Sequence, residues 1–255
     1  MTGDRWWRFR TGYWLLVTGY CLACSVTPLT NKIEVGEQAF VIGVGEGSDA
    51  ATDLFAAPAG GGSFVRLTFN RAEERAPALS PDGLRVAFLR RSAGGPWTLV
   101  MLDLRNSGER TTPVPAEAGD PERLGWSPSG ERVLLRGRGY YESPAPPGNP
   151  LLQPARDAAQ ADSLTAVLLG DPPGGSIVPC ASGGLCIRSR TGEQTQLGAG
   201  VHGAIRWGSD SVGYFSSERF EVRPLGGGRV RQPAWKEAPA GLRELTYHPG
   251  ATSPP

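Results

Sequence analysis

A short motif occurs repeatedly in the chain, and it restricts the fold more than any other feature of the sequence. Segments 75–88 and 122–135 each contain a Ser-Pro-x-Gly tetrapeptide followed by an apolar stretch. The two tetrapeptides are Ser80-Pro81-Asp82-Gly83 and Ser127-Pro128-Ser129-Gly130. Proline fixes the φ angle that a tight turn needs, and glycine accepts a positive φ. Each segment therefore predicts two strands joined by a tight turn.

Two weaker copies of this motif follow towards the C-terminus. Residues 204–215 keep the pattern without proline, and residues 245–250 keep its first half. Equivalent positions in successive copies are 47, 81 and 40 residues apart, measured between Leu79, Trp126, Trp207 and Tyr247. These intervals fit a unit of about 40–45 residues with one doubled interval, which is the period of a β-propeller blade.

These copies resemble the repeats of the TolB-like group of WD-related β-propellers, whose units carry a Trp-Ser-Pro-Asp-Gly turn followed by an apolar strand. Residues 53–68 are similar to the third strand, glycine turn and fourth strand of such a unit, and residues 97–108 repeat that half. The resemblance covers residues 38–138 and, with weaker motifs, 185–250. It implies a β-propeller or partial propeller of about five four-stranded blades.

The distribution of apolar residues independently predicts an all-β fold. Short apolar runs at 40–42, 86–89, 133–135 and 164–169 are bounded by Gly, Pro or Ser, as strands are. Such runs are typical of strands buried on both faces, as in blades stacked between neighbours. The chain also contains 36 Gly and 23 Pro in 255 residues, which disfavours long helices.

The two ends of the domain are predicted to complete one blade. The N-terminal unit begins at a second strand near Ala39, whereas the C-terminal unit stops after a first strand, Leu242–Tyr247. Pairing these two halves would remove an exposed sheet edge.

Residues 139–162 depart from the repeat and are predicted to form a long insertion in the third unit. They contain a proline-rich stretch at 144–150 and an alanine-rich end. A long loop in a compact domain is commonly a contact element, and arginine and tyrosine are frequent anchors of protein interfaces. We therefore predict a docking face here, with a solvated blade edge as the alternative. Its interface candidates are Arg136, Arg138, Tyr140 and Tyr141.

The N-terminal segment predicts a membrane crossing. Three arginines lie within the first ten residues, and the next 21 residues, 11–31, carry no charge. At about 1.5 Å per helical residue this run spans roughly 31 Å, which matches the hydrocarbon thickness of a bilayer. Arginine on the N-terminal side favours a cytoplasmic N-terminus, and Trp6 and Trp7 suit the membrane boundary as further interface candidates.

We therefore predict that residues 1–31 form a cytoplasmic stub and one transmembrane helix. Residues 32–255 would then form a periplasmic domain on the bacterial inner membrane. Two other fates of the segment stay open, because Cys21-Leu22-Ala23-Cys24 resembles a lipobox with Cys24 as the lipidated residue, and because a simple cleaved signal has the same outline. Cys21 stands where a lipobox usually has a branched aliphatic residue. All three fates export the domain.

Cys180 and Cys186 are predicted to form a structural disulfide in the exported domain. Five residues separate them, including two glycines, and such a loop can bring their Cα atoms within bonding range. Two buried thiols are the alternative.

Composition argues against several kinds of chemistry. The 26 Lys and Arg balance 25 Asp and Glu, so the chain lacks the basic excess that nucleic-acid binding favours. Two histidines and four cysteines are too few for a haem array, a cysteine-rich zinc module or a histidine metal triad. His202 lies in a glycine-flanked loop, and His248 occupies the serine position of a degenerate turn. We therefore predict no catalytic residue and no cofactor.

Two functional hypotheses follow. The first is a non-catalytic accessory subunit that stabilises a larger membrane complex, of respiratory or photosynthetic type, and contacts other membrane subunits and, through residues 11–31, lipid. The second is a periplasmic lipoprotein that acts as an enzyme or small-ligand binder through the propeller funnel.

Overall fold

The computed structural model describes residues 29, 33–47, 51–144, 153–154, 175–182, 184–189, 191–198, 200–217 and 219–251. These residues form strands joined by turns, with one short 3-10 helix at Ala116–Ala118. In chain order the strands are β1 Phe40–Glu46, β2 Thr52–Pro58, β3 Gly61–Ser63, β4 Val65–Arg66, β5 Glu73–Leu79, β6 Arg85–Arg91, β7 Thr98–Asp103, β8 Glu109–Pro113, β9 Arg123–Trp126, β10 Arg132–Arg136, β11 Tyr140–Pro144, β12 Gln153–Pro154, β13 Gly175–Pro179, β14 Leu185–Ser189, β15 Gln194–Gly198, β16 Val201–Trp207, β17 Ser211–Ser216, β18 Arg219–Pro224, β19 Ala234–Lys236 and β20 Arg243–His248.

Most of these strands belong to five antiparallel sheets. Sheet 1 has the order β20-β1-β2-β4, sheet 2 the order β5-β6-β7-β8 and sheet 3 the order β9-β10-β11-β12. Sheets 4 and 5 have three described strands each, β13-β14-β15 and β16-β17-β18. Strands β3 and β19 form a separate parallel pair. The predicted all-β class is confirmed, and within sheets 2 to 5 strands that follow one another in sequence lie side by side.

The Ser-Pro-x-Gly motifs form the predicted hairpins. In both copies the serine hydroxyl accepts a hydrogen bond from the backbone N–H five residues later, from Arg85 to Ser80 and from Arg132 to Ser127, at 3.0 Å each. Gly83 and Gly130 adopt φ angles of 67° and 71°, which side-chain-bearing residues rarely adopt. The motif therefore fixes the connections between β5 and β6 and between β9 and β10.

The C-terminal strand completes sheet 1, as predicted from the sequence. β20 pairs antiparallel with β1, so that Phe40 lies opposite His248 and Val41 lies opposite Tyr247. The pairing contains an irregularity after Ile42, and the side chain of Leu245 lies over Gly43 there. A Cβ atom at Gly43 would be 2.4 Å from Leu245 Cδ2, so a larger residue there would displace the side chain of Leu245.

Apolar clusters join neighbouring sheets face to face. Phe40 and Phe88 belong to the cluster between sheets 1 and 2, Leu99 and Trp126 to the one between sheets 2 and 3. Further clusters join sheet 4 to sheet 5 and sheet 5 to sheet 1, where Trp207 stacks on Tyr247 with ring centroids 4.4 Å apart. Within the described residues no such cluster joins sheets 3 and 4. Burial on both faces of sheets 1 and 2 explains the continuous apolar runs in β1 and β6.

The structure corrects two boundaries drawn from the sequence. Leu29 is fully buried in the cluster between sheets 1 and 2, and its N–H donates to the carbonyl of Leu104 at 3.2 Å. The domain therefore begins at or before Leu29, inside the stretch assigned to the membrane. Residues 140–144 do not begin an insertion, because they form β11 and pair with β10. The proline-rich stretch instead connects the third and fourth strands of sheet 3.

No helix within the described ranges has the length and apolar character needed to cross a bilayer. The predicted transmembrane segment, together with Trp6, Trp7 and Cys24, lies outside those ranges, except for Leu29 at its end.

Candidate functional site: the central cleft

The first strands of four sheets converge on one cleft. Strands β5, β9, β16 and β20 line a cavity of about 470 Å³, and residues of the turns that follow them contribute to one end. These strands belong to sheets 2, 3, 5 and 1, so the cleft is shared by four of the five sheets.

Side chains from neighbouring sheets form hydrogen bonds with backbone groups of the inner strand β5. A sheet edge presents unpaired N–H and C=O groups, which are costly when they are buried without partners. On β5, the N–H of Ala76 donates to Glu244 Oε2 at 2.5 Å, and the N–H of Leu79 donates to Thr246 Oγ1 at 3.2 Å. Trp126 Nε1 donates to the carbonyl of Ala78 at 2.8 Å. Sheets 1, 2 and 3 are thus cross-linked along the cleft.

Three residues of the inner strands adopt the left-handed backbone conformation. Ala76 and Glu244 both have a φ of 52°, and each lies three residues before the position that is tryptophan in the repeat. Gly203 on β16 has a φ of 59°. For a residue with a side chain this conformation costs about 1–2 kcal/mol. Each of these three residues lies where the pairing register of its strand shifts. Such β-bulges change the direction of backbone groups, and the one in β5 directs the N–H of Ala76 towards Glu244.

The cleft has two chemically different mouths. One lies beside the Ser-Pro-x-Gly turns and includes Pro81 and His248; we call it the turn mouth. The other lies where the inner strands begin and includes Glu122, Arg123 and Glu244; we call it the charged mouth. All three charged residues are exposed.

The guanidinium of Arg123 is the cation at the charged mouth that has no ion-pair partner among the described residues. Glu122 pairs with Arg136 at 3.5 Å, and Glu244 lies 3.9 Å from Arg243 in addition to its bond with Ala76. An exposed arginine of this kind is available to a carboxylate of a partner or ligand.

His248 at the turn mouth has a structural role, because both of its ring nitrogens are hydrogen-bonded within the domain. Its Nδ1 accepts the N–H of Gly250 at 3.1 Å, so Nε2 carries the proton and donates to the carbonyl of Pro81 at 3.2 Å. Burial lowers the pKa of His248, against opposing effects of the Pro81 carbonyl and Asp82. A Cβ atom at Gly83 would lie 2.7 Å from the imidazole ring. The neutral ring therefore fastens the end of β20 to the turn of sheet 2. His202 is exposed and stacks on Phe215.

The predicted docking residues have different environments. Arg138 is exposed, and Arg136 and Tyr140 are half-buried. Tyr141 is 6% exposed and packs in the cluster between sheets 2 and 3, because alternate residues of β11 face that cluster. This burial corrects the prediction for Tyr141, whose ring is not available to anchor a partner.

Cys180 and Cys186 are joined by a disulfide bond, with their Cα atoms 5.2 Å apart. The bond closes the hairpin between β13 and β14.

A buried polar cluster lies between sheets 1 and 2, and no sequence motif marks it. Asp53 and Glu74 are both 0% exposed, and the hydroxyl of Thr68 lies 3.3 Å and 2.6 Å from their carboxylates. Burial raises the pKa of Glu74, while the nearby Arg90 opposes that effect. Arg90 donates to Glu74 at 2.9 Å and to both carboxylate oxygens of Glu109 at 2.8 Å. These bonds connect β8, the outer strand of sheet 2, to its inner strand β5 and, through Thr68, to sheet 1.

Among the residues that the structure describes, no three His, Cys, Asp or Glu side chains are grouped as a metal site would require. The prediction that the protein uses no cofactor stays a prediction.

No protein-family model matches the chain, and no curated protein matches it. Its structure is similar to that of TolB from Acinetobacter baumannii, with 11% sequence identity, a TM-score of 0.44 and coverage of 83% of this chain and 67% of that chain. It is also similar to a protein assigned as TolB from Agrobacterium tumefaciens, with 13% identity, a TM-score of 0.37 and coverage of 82% and 71%. A third similar structure is a protein assigned as a 6-phosphogluconolactonase from Bacteroides uniformis, with 16% identity, a TM-score of 0.34 and coverage of 77% and 67%. At these values the similarities assign neither a family nor an activity.

Proposed function

We propose that the chain is a membrane-tethered, non-catalytic interaction protein with a TolB-like β-propeller domain of five blades. The strand order of the five sheets and the convergence of four first strands on a cleft support the propeller. The domain would lie in the periplasm and contact other subunits of a membrane assembly. The uncharged run at 11–31 supports the tether.

The observation that carries this function is the charged mouth. Glu244, Thr246 and Trp126 are engaged in holding the blades together, whereas the exposed guanidinium of Arg123 has no ion-pair partner among the described residues. Arginine is among the residues that most often dominate binding energy at protein interfaces. The partner would present a carboxylate to Arg123.

Charge reversal at Arg123 tests this function. In mild-detergent extracts we expect the natural chain to migrate within a larger assembly, and Arg123→Glu to shift it towards the position of the lone chain, because two carboxylates would then face each other. The loss of a hydrogen-bonded charge pair that the partner buries should weaken the complex by about 2–5 kcal/mol.

Arg110→Glu is the matched control, because Arg110 is an exposed arginine on the outer strand β8, away from the charged mouth. It should leave the migration unchanged. Migration of the natural chain as a lone monomer would contradict the proposed function, and equal behaviour of the two variants would contradict the role of the charged mouth.

The cleft itself favours one alternative, a periplasmic enzyme or small-ligand binder. Its volume of about 470 Å³ lies within the range of ligand pockets, about 300–1,000 Å³. Mass analysis of material that stays bound to the purified chain discriminates the two, because a ligand released in equimolar amount on unfolding would favour the alternative.

A further inference from the structure

We propose that the end of the domain that carries the Ser-Pro-x-Gly turns lies against the membrane surface, so that the charged mouth faces away from it. This inference rests on the proposed tether. It assigns an orientation and a lipid-facing surface, which the proposed function leaves open.

The argument begins at the point where the chain enters the domain. Leu29 is fully buried and donates its N–H to the carbonyl of Leu104, and the N–H of Ile33 donates to the carbonyl of Leu29 at 3.0 Å. Both side chains belong to the apolar cluster between sheets 1 and 2. Residue 29 is therefore held in the domain by backbone bonds and by apolar packing.

This entry point lies at the turn end. Leu104 belongs to the turn between β7 and β8, and its N–H donates to the carbonyl of Leu84, just after the first Ser-Pro-x-Gly turn, at 2.9 Å. The other end of the described domain lies there too. The N–H of Ala251 donates to the carbonyl of Glu37 at 2.9 Å. Glu37 lies just before β1, whose first residue pairs with His248 at the turn mouth.

Very little chain remains between this point and the membrane. A span within the uncharged run at 11–31 has to end before Leu29, and 18 residues, 11–28, reach about 27 Å as a helix. If Cys24 carries lipid instead, only four residues lie between it and Leu29, and the five Cα–Cα steps extend at most about 17 Å. The seven-residue strands of the domain are about 23 Å long. Both fates therefore hold the turn end, rather than the charged mouth, at the bilayer.

The tips of the turn end have the polarity that a position among lipid headgroups requires. Asp82, Arg105 and Ser129 are exposed there, and each lies in a turn. Their mixed charge favours contact with headgroups over insertion into the hydrocarbon, where a charged side chain is costly.

Lipid photo-cross-linking tests the orientation on the full chain. A benzophenone amino acid replaces Ser129 at the turn end or Ser92 in the turn between β6 and β7, which is also an exposed serine and lies at the opposite end. Each chain is reconstituted into phosphatidylethanolamine and phosphatidylglycerol vesicles, and lipid adducts are quantified by intact mass. We expect several-fold more adduct at position 129 than at position 92.

Vesicle flotation of the same samples separates the two proposals. Chains that do not float with the vesicles would overturn the tether and the orientation with it. Chains that float but give equal adducts at both positions, or more at position 92, would overturn the orientation alone and leave the tether standing.

Discussion

We expect a chain truncated after Ala240 to unfold at a much lower temperature than the full chain, or to aggregate. The truncation removes β20 and with it the pairing to β1 and the bonds of Glu244 and Thr246 to β5. It also removes the buried Leu245 and the half-buried Leu242 and Tyr247. At about 1.5–3 kcal/mol for each fully buried side chain, the loss is of order 5 kcal/mol, comparable with the whole stability of a typical domain.

Truncation after Ala251 is the control, because it removes residues 252–255 and leaves β20 intact. Its thermal midpoint, followed by circular dichroism, should equal that of the full chain. Equal midpoints for all three chains would show that β20 does not close sheet 1.

We expect Arg90→Ala to have the second largest effect. Arg90 pairs with the fully buried Glu74 and, through two bonds, with Glu109. Removing the guanidinium takes away the cation that pairs with the buried carboxylate of Glu74, whereas Asp53 keeps its ion pair with Arg66. The loss of one partner from a buried ion pair costs about 3–5 kcal/mol. The midpoint of chemical unfolding measures this change.

Arg132→Ala is the matched control, since Arg132 also lies on the second strand of its sheet and pairs with Glu142 at 3.0 Å. Its side chain is 55% exposed, so we expect a loss of at most about 1 kcal/mol. If Arg90→Ala costs no more than Arg132→Ala, the buried cluster does not stabilise the contact between sheets 1 and 2.

The sequence predicts those parts of the fold that depend on local chemistry. The Ser-Pro-x-Gly turns are specified by proline and glycine within four residues, so the hairpins around Gly83 and Gly130 follow from the sequence alone. The pairing of β20 with β1 also follows, because a repeat that starts at a second strand and ends at a first strand leaves two halves of one unit.

The N-terminal boundary of the domain and the start of the insertion were less predictable, because the sequence pattern at each place is compatible with more than one structure. An uncharged run predicts either a membrane span or a buried segment, and Leu29 belongs to the buried segment. Proline at 144–150 indicates irregular chain, but it does not show that 140–144, just before it, pairs with β10. The available sequence signal for a strand was the pair Tyr140 and Tyr141, because tyrosine is enriched in strands.

The resemblance to propellers implies a central funnel, but the contacts that line the cleft were beyond prediction because they join residues that are far apart in sequence. The two residues of the hydrogen bond between Ala76 and Glu244 are 168 positions apart, and no periodic pattern in the sequence predicts that they meet. The left-handed conformation of these two residues is equally unmarked, since neither is glycine or asparagine. Burial of Glu74 is hidden in the same way, because Thr68, Asn70 and Arg90 become its partners only in the folded chain.

Hydrogen exchange on the full chain tests the completion of sheet 1 most directly, because β20 lines the cleft and contributes Glu244 to its charged mouth. The structure predicts that the amides of β20 that bond to β1 exchange as slowly as those in β6, at the centre of sheet 2. Exchange in residues 243–248 at the rate of an unstructured peptide, with β6 protected, would contradict the pairing of β20 with β1.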